Sequence, residues 1–248
     1  MLASCIVDLT HAFGPGQPRW SGFHDEQRES ALSMENDGIS ADYHRLVGSW
    51  GTHVDAPAEM IPGGRTIDQL SPAELVLPLA VIDLSAAVAA DPDRCLQWED
   101  VKRWEADHGP IPSGSFVALR TDWSQRWPSQ EAMRNLDGDG VAHTPGWTLE
   151  ALRHVIVERA ATAIGHETID TDPGVYTSTD ALSGTLPRED TRRQYACEAY
   201  VLDHDRYQVE LLAHLDRVPA LGAHIVVGVG KAHGGTAFPA RVLALCPP

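Results

Sequence analysis

The sequence predicts a single α/β domain, spanning residues 1–248, built around a sizeable mixed sheet. Three observations lead to this prediction. Short apolar runs rich in β-branched residues recur between polar turns, helical signals are fewer, and no linker or internal repeat divides the chain. With 248 residues and 43% hydrophobic side chains, the chain can bury a substantial core without disulfides or metals as staples.

Apolar runs with the length and composition of buried strands occur throughout the chain. They are Cys5–Leu9, Leu75–Leu84, Ser115–Thr121, Ala223–Gly230 and Ala240–Leu245. Two stretches are predicted to be helical: QWEDVKRWEADHG, which closes on a glycine and a following proline, and TLEALRHVIVERA, which offers Thr148 as N-cap. The polar stretch from Asp172 to Arg193 is predicted to be a surface loop or a lid.

Charge and cysteine usage exclude several classes of partner. A formal net charge of -16, spread along the whole chain, argues against nucleic acid and against an acidic membrane surface. No apolar run approaches the roughly 20 residues of a membrane span. The four cysteines are far apart and no signal-peptide pattern precedes them, so we expect a cytoplasmic protein. The glycines of VGVGKAHGG lack the strand-to-helix context of a nucleotide fingerprint, so no nucleotide cofactor is expected.

The stretch GSWGTHVDAPAEM carries an unusual density of side chains that can bind a cation or move a proton. His53 and Asp55 lie two residues apart, so in an extended segment both would project to the same side and could converge on one ion. Glu59 would need a turn at Pro57 to bring its carboxyl group close to the side chains of His53 and Asp55. Taken in isolation, however, a histidine and an aspartate at this spacing are more often a hydrogen-bonded structural pair.

This stretch resembles the signature H-x-G-T-H-x-D-x-P-x-H of the cyclase superfamily, which includes bacterial kynurenine formamidase, isatin hydrolase and proteins linked to polyketide cyclisation. Blocks from IVDLTHAFGPGQPRW to FPARVLAL resemble the family in order along essentially the whole chain. The resemblance implies a swivelling β/β/α fold with a mixed sheet and assembly as a homodimer or homotetramer. It also implies hydrolysis of an amide or lactone-like bond in a small molecule, with one or two divalent ions.

The resemblance also implies the metal ligands. His53 and Asp55 match the signature, Glu210 matches a glutamate in the block YQVELLAHLD, and Glu198 in CEAYVLD matches the glutamate of a nearer subgroup. If this site binds an ion, one imidazole among carboxylates suits Mg²⁺, Mn²⁺ or Ca²⁺ better than Zn²⁺, which stays among the candidates.

Two signature positions differ from the family pattern. Ser49 stands where the first histidine ligand belongs, and Glu59 stands where the last histidine, the presumed general base, belongs. Kynurenine formamidase activity itself is therefore disfavoured. Together with Ser49, three further residues are predicted to contact a planar, partly apolar substrate: Trp20, Trp50 and His166.

Three functions remain open at this point. In the first, a divalent ion polarises a carbonyl while Glu59 moves the proton, which leads to hydrolysis or the reverse cyclisation. In the second, Glu59 works with Asp55 or His53 as a metal-independent acid and base in a cyclase or dehydratase of natural-product biosynthesis. In the third, the chain is a catalytically inactive homologue that binds a small molecule.

Overall fold

A computed structural model of the chain describes residues 5–177 and 188–247. The strands are β1 (Cys5–Asp8), β2 (Gln27–Leu32), β3 (Ala41–Arg45), β4 (His53–Asp55), β5 (Val76–Asp83), β6 (Phe116–Arg120), β7 (Ala163–His166), β8 (Tyr207–Glu210), β9 (Ala223–Val229) and β10 (Ala237–Cys246). The α-helices are α1 (Met34–Asp37), α2 (Ser85–Ala90), α3 (Trp98–His108), α4 (Gln130–Arg134), α5 (Leu149–Arg153), α6 (Gly174–Thr177), α7 (Arg188–Gln194) and α8 (Ala196–Asp203).

Eight strands form one mixed sheet in the order β1-β10-β4-β8-β7-β6-β5-β9. Strand β9 also pairs with β10, so the sheet closes on itself in a barrel-like arrangement. Strands β5, β6, β7 and β8 are parallel, and helices occupy the connections between them. The fold is therefore the mixed α/β class that the sequence predicts.

Alternating residues of the central strands pack on opposite faces of this sheet. In β5, Leu79 and Val81 belong to a hydrophobic cluster inside the barrel, whereas Ala80 and Ile82 belong to a second cluster beneath the helices. A strand that is buried on both faces reads as a continuous apolar run, which explains why LVLPLAVIDL is recognisable in the sequence.

The five apolar runs predicted to be strands correspond to β1, β5, β6, β9 and β10, and the first predicted helix is α3. The second begins after Thr148, whose side chain accepts a hydrogen bond from the backbone of Ala151, and passes into a π-helical turn at His154–Glu158. The prediction of a loop from Asp172 to Arg193 was wrong for the part that the structure describes. Helix α6 and most of α7 lie there, since polar residues such as Arg, Glu and Gln still favour a helix. The remainder, 178–187, lies outside the described residues.

Strands β2 and β3 form a separate two-stranded sheet. Of the helices within residues 5–177 and 188–247, none has the length and apolar character that crossing a membrane requires.

Candidate metal centre

Two neighbouring strands place four polar side chains together. In β4, Val54 packs inside the barrel, so His53 and Asp55 project from the opposite face. Strand β8 runs antiparallel to β4, with His53 opposite Glu210 and Asp55 opposite Gln208. Directly opposed residues share a face of the sheet, so one imidazole, two carboxyl groups and one amide lie side by side.

The orientation of His53 is set by its own loop. His53 Nδ1 lies 2.8 Å from the carbonyl oxygen of Gly51, and because a carbonyl can only accept, this nitrogen carries the proton. Gly51 adopts a φ of 64°, and a Cβ at this position would lie 2.9 Å from the Cβ of Phe13. Glycine is therefore required for the turn that presents its carbonyl to the imidazole.

His53 Nε2 faces two carboxylate oxygens, at 3.2 Å from Asp55 Oδ1 and 3.6 Å from Glu210 Oε2. In the neutral ring this nitrogen offers a lone pair, so three electron-rich atoms converge on one point. Asp55 Oδ1 is buried and accepts no hydrogen bond of good geometry. Such a convergence is stable only with positive charge, either as an imidazolium or as a bound cation, and the three donors fit a divalent ion.

The pKa values of His53 and Asp55 agree with this charge requirement, whereas burial and the charge of Asp55 raise the pKa of Glu210 well above its ordinary value. Burial would lower the pKa of His53, but the adjacent Asp55 raises it above its ordinary value. Burial would raise the pKa of Asp55, yet the charge of the adjacent His53 brings it below the ordinary value. The pair thus favours an ionised carboxylate beside a positive charge.

A second group of acidic side chains shares Asp55 with the first. It contains Asp55, Glu59 and Glu198, and ligand atoms of these residues lie within 4.8 Å of one another. Pro57 opens a 3₁₀ turn at Pro57–Glu59, which carries Glu59 back toward Asp55. Burial raises the pKa of both Glu59 and Glu198 well above the ordinary value, and the charge of Asp55 raises both further.

Two polar contacts hold this second group in place. Ser49 Oγ donates to Glu59 Oε1 at 2.9 Å. The carboxylate of Asp172 accepts hydrogen bonds from the backbone nitrogens of Cys197 and Glu198, at 2.8 and 3.0 Å, and so anchors the first turn of α8 over the site.

A pocket of about 200 Å³ opens over the cluster. Its polar floor includes the carboxyl groups of Asp55, Glu59, Glu198 and Glu210 together with His53. Its wall includes large apolar and aromatic side chains, namely Trp20, Phe23, Met60, Ile169, Tyr195 and Leu211. This combination of apolar walls with a few convergent polar groups is typical of a small-molecule site.

The predicted substrate-contact residues fall into two groups. Ser49 and Trp20 line the pocket, and Trp20 Nε1 donates to the hydroxyl of Tyr195 at 3.0 Å. Trp50 is fully buried and does not line it, because the chain turns at Gly51 immediately afterwards. Its contact with substrate stays a prediction, and in the structure its side chain is packed in the interior.

His166 is also buried and lies beside Glu210, so its contact with substrate stays a prediction. It is 1% exposed, and its Nε2 lies 3.4 Å from Glu210 Oε1. Burial lowers its pKa to about 3, so the ring is neutral. Gln208, which no sequence pattern singled out, lies between Asp55 and Glu210 and donates to both. The alternation in YQVE, with Gln208 two residues before Glu210, is the signal that could have found it.

Comparison with known proteins identifies the family. The Cyclase family model matches residues 7–173. Isatin hydrolase from Roseibium aggregatum is 35% identical over 202 residues, which cover 79% of this chain and 71% of that protein. Isatin hydrolase A from Ralstonia solanacearum has a TM-score of 0.84 at 34% identity, covering 98% of this chain and 92% of that chain. An isatin hydrolase bound to the product analogue thioisatinate has a TM-score of 0.85 at 30% identity, with coverage of 98% and 92%. The chain therefore belongs to the cyclase family.

Proposed function

We propose that this protein is a metal-dependent hydrolase that opens an amide or lactone-type bond in a carbonyl-containing small molecule. The observation that carries the proposal is the convergence of His53 Nε2, Asp55 Oδ1 and Glu210 Oε2 beneath an apolar pocket. The similarity to isatin hydrolases supports hydrolysis, and a cyclic amide such as isatin is the natural first substrate to test.

The ligand set favours Mn²⁺ or Mg²⁺ over Zn²⁺, because one imidazole and two carboxylates form an oxygen-rich site. His53, Asp55 and Glu210 hold the ion in this proposal, with Glu198 close to Asp55 on the other side. A bound divalent cation would polarise the scissile carbonyl and make a water molecule more acidic.

The proton transfer is assigned to Glu59. Hydrolysis adds water across the acyl bond, so the acyl carbon gains a hydroxyl group and the leaving nitrogen or oxygen gains a proton. Glu59 lies beside Asp55 in the pocket floor, and Ser49 fixes its orientation through the 2.9 Å hydrogen bond. A glutamate with a raised pKa can take the proton from water and deliver it to the leaving group.

The aromatic wall is expected to bind the ring of a planar substrate. Trp20 is fixed by its hydrogen bond to Tyr195, and Phe23 packs against it with ring centroids 4.8 Å apart. Held side chains of this kind bind a flat molecule at little entropic cost and exclude water around the scissile bond.

The test uses protein purified without a metal-affinity tag. Elemental analysis and calorimetric titration with Mn²⁺, Mg²⁺ and Zn²⁺ are compared for wild type and His53→Ala, followed by isatin hydrolysis in the presence of the ion. We expect at least one ion per chain that His53→Ala loses, and hydrolysis that a chelator abolishes. Full turnover by stripped protein would contradict the metal requirement.

One observation favours a second candidate, metal-independent cyclisation. Glu59 and Asp55 have carboxyl oxygens within 4.8 Å of each other, and the raised pKa of Glu59 beside the lowered pKa of Asp55 places an acid next to a base. Turnover of an open-chain substrate that chelators do not affect would select this function.

A further inference from the structure

Gln208 occupies a central place among the proposed ligands. Its side chain is fully buried, and its amide Nε2 donates to Glu210 Oε1 at 3.0 Å and to Asp55 Oδ2 at 3.2 Å. The other end of the amide is also bonded, because Thr171 Oγ1 donates to Gln208 Oε1 at 2.6 Å. The amide therefore connects strand β8, strand β4 and the segment that follows β7.

Two carboxylates favour one orientation of this amide. With both carboxyl groups ionised, as ligands of a cation are, rotating the group by half a turn would place Oε1 against two carboxylate oxygens and leave these three atoms without a donor. In the observed orientation, both amide protons are donated to carboxylates, and the Thr171 hydroxyl donates to the oxygen. Thr171 is itself fully buried, so this contact has no competition from solvent.

In each of the two carboxyl groups, one oxygen accepts a hydrogen bond from Gln208 and the other faces His53. Asp55 Oδ2 and Glu210 Oε1 accept from Gln208, while Asp55 Oδ1 and Glu210 Oε2 face His53 Nε2. The oxygens that are left for an ion are thus the two whose positions the amide determines.

We propose that Gln208, held by Thr171, is a positioning residue that aims Asp55 and Glu210 at one cation. The proposal rests on the metal-dependent function proposed above. Without the amide, two neighbouring carboxylates would lose the donor that they share and would repel each other. Groups that orient metal ligands typically change metal affinity by about 10- to 100-fold when they are removed.

The test measures Mn²⁺ affinity by electron paramagnetic resonance, which counts free ion without reference to activity. We expect Gln208→Leu to weaken binding by about 10- to 100-fold and to alter the spectrum of the bound ion. Thr171→Val should show a smaller loss in the same direction, and Thr171→Ser, which keeps the hydroxyl, should restore affinity.

Thr168→Val is the matched control. Thr168 is a buried threonine in the same segment, and its hydroxyl donates to the backbone oxygen of Asp170 at 2.8 Å rather than to Gln208. The Mn²⁺ affinity of Thr168→Val should therefore equal that of wild type. Thermal unfolding of the ion-free variants shows whether each one folds. If Gln208→Leu does not fold, the Mn²⁺ affinities of Thr171→Val and Thr171→Ser are compared instead.

The outcomes separate the two proposals. Wild type that binds Mn²⁺, with variants that bind equally well, would overturn the role of Gln208 and leave the hydrolase proposal standing. Wild type that binds no divalent ion would overturn the metal-dependent function and the positioning role with it.

Discussion

At the scale of single residues, the two departures from the family signature contact each other. Ser49 and Glu59 replace two histidines, and the hydroxyl of one donates to the carboxylate of the other at 2.9 Å. Both line the pocket beside the proposed ligands. If the site had lost its function, the two substitutions would be independent and would have no reason to form a hydrogen bond. A change in the group that transfers the proton explains why they contact each other. The arrangement therefore favours an active enzyme over an inactive binding homologue.

The variant Glu59→Gln tests the proton-transfer role of Glu59. The amide keeps the size of the side chain but cannot transfer a proton, so we expect turnover to fall by about 10²- to 10⁴-fold while substrate affinity changes little. Steady-state kinetics with a substrate identified as above provides the measurement. Ser49→Ala, which leaves the carboxyl group in place, should lose far less activity. Full activity of Glu59→Gln would remove this residue from the mechanism.

At the scale of elements, one half-buried ion pair ties α3 to Arg159, the residue directly after the π-helical turn. Arg159 donates from Nε and Nη2 to the two oxygens of Glu105, at 2.6 and 2.8 Å, and the backbone of Ile111 donates to the same carboxylate. The hydrogen bonds from Arg159 lower the pKa of Glu105 to about 2, although burial acts in the opposite direction. The ion pair thereby joins these two elements.

This ion pair gives a prediction for stability against pH. Because the pKa of Glu105 is lower in the folded state than its ordinary 4.5, its stabilisation is complete above pH 4.5 and is lost as the pH falls toward 2. We expect Glu105→Gln to lower the free energy of unfolding by about 1–3 kcal/mol at pH 7, and the difference from wild type to shrink below pH 4. Urea unfolding at several pH values measures this. Glu99→Gln, an exposed change in the same helix, should have little effect at any pH.

The sequence predicts long elements better than short ones, for a physical reason. Strands β5 and β10 bury many apolar side chains, so their composition identifies them as strands. Strands β4 and β8 have only three and four residues, which is too few for a clear pattern. The face shared by His53 and Asp55 could be predicted because it depends only on alternation within one strand. The position of Glu210 came from resemblance, since the register of β4 against β8 is a tertiary contact that no local pattern encodes. Gln208 was missed because an uncharged amide carries no chemical signal until its partners are known.

At the scale of the whole molecule, the sheet of β2 and β3 stands apart from the barrel. All of its residues except Leu32 are exposed, and the region carries three exposed apolar side chains, Met34, Ile39 and Tyr43. A two-stranded sheet without a packed face is marginally stable in water. The resemblance to the cyclase family implies a homodimer or homotetramer, and this sheet is the surface that we propose for contact with a second copy.

The proposed assembly can be tested by mass and by one pair of matched variants. We expect light scattering after size exclusion to give two or four times the chain mass of 26.9 kDa. Tyr43→Glu should shift the protein toward the monomer, because it places a charge in a surface that association would desolvate. Tyr176→Glu is the control, since Tyr176 is 64% exposed against 67% for Tyr43 but lies in α6, away from β2 and β3 in the chain. A monomeric wild type would disprove the assembly, and an oligomer that Tyr43→Glu leaves intact would place the interface on another surface.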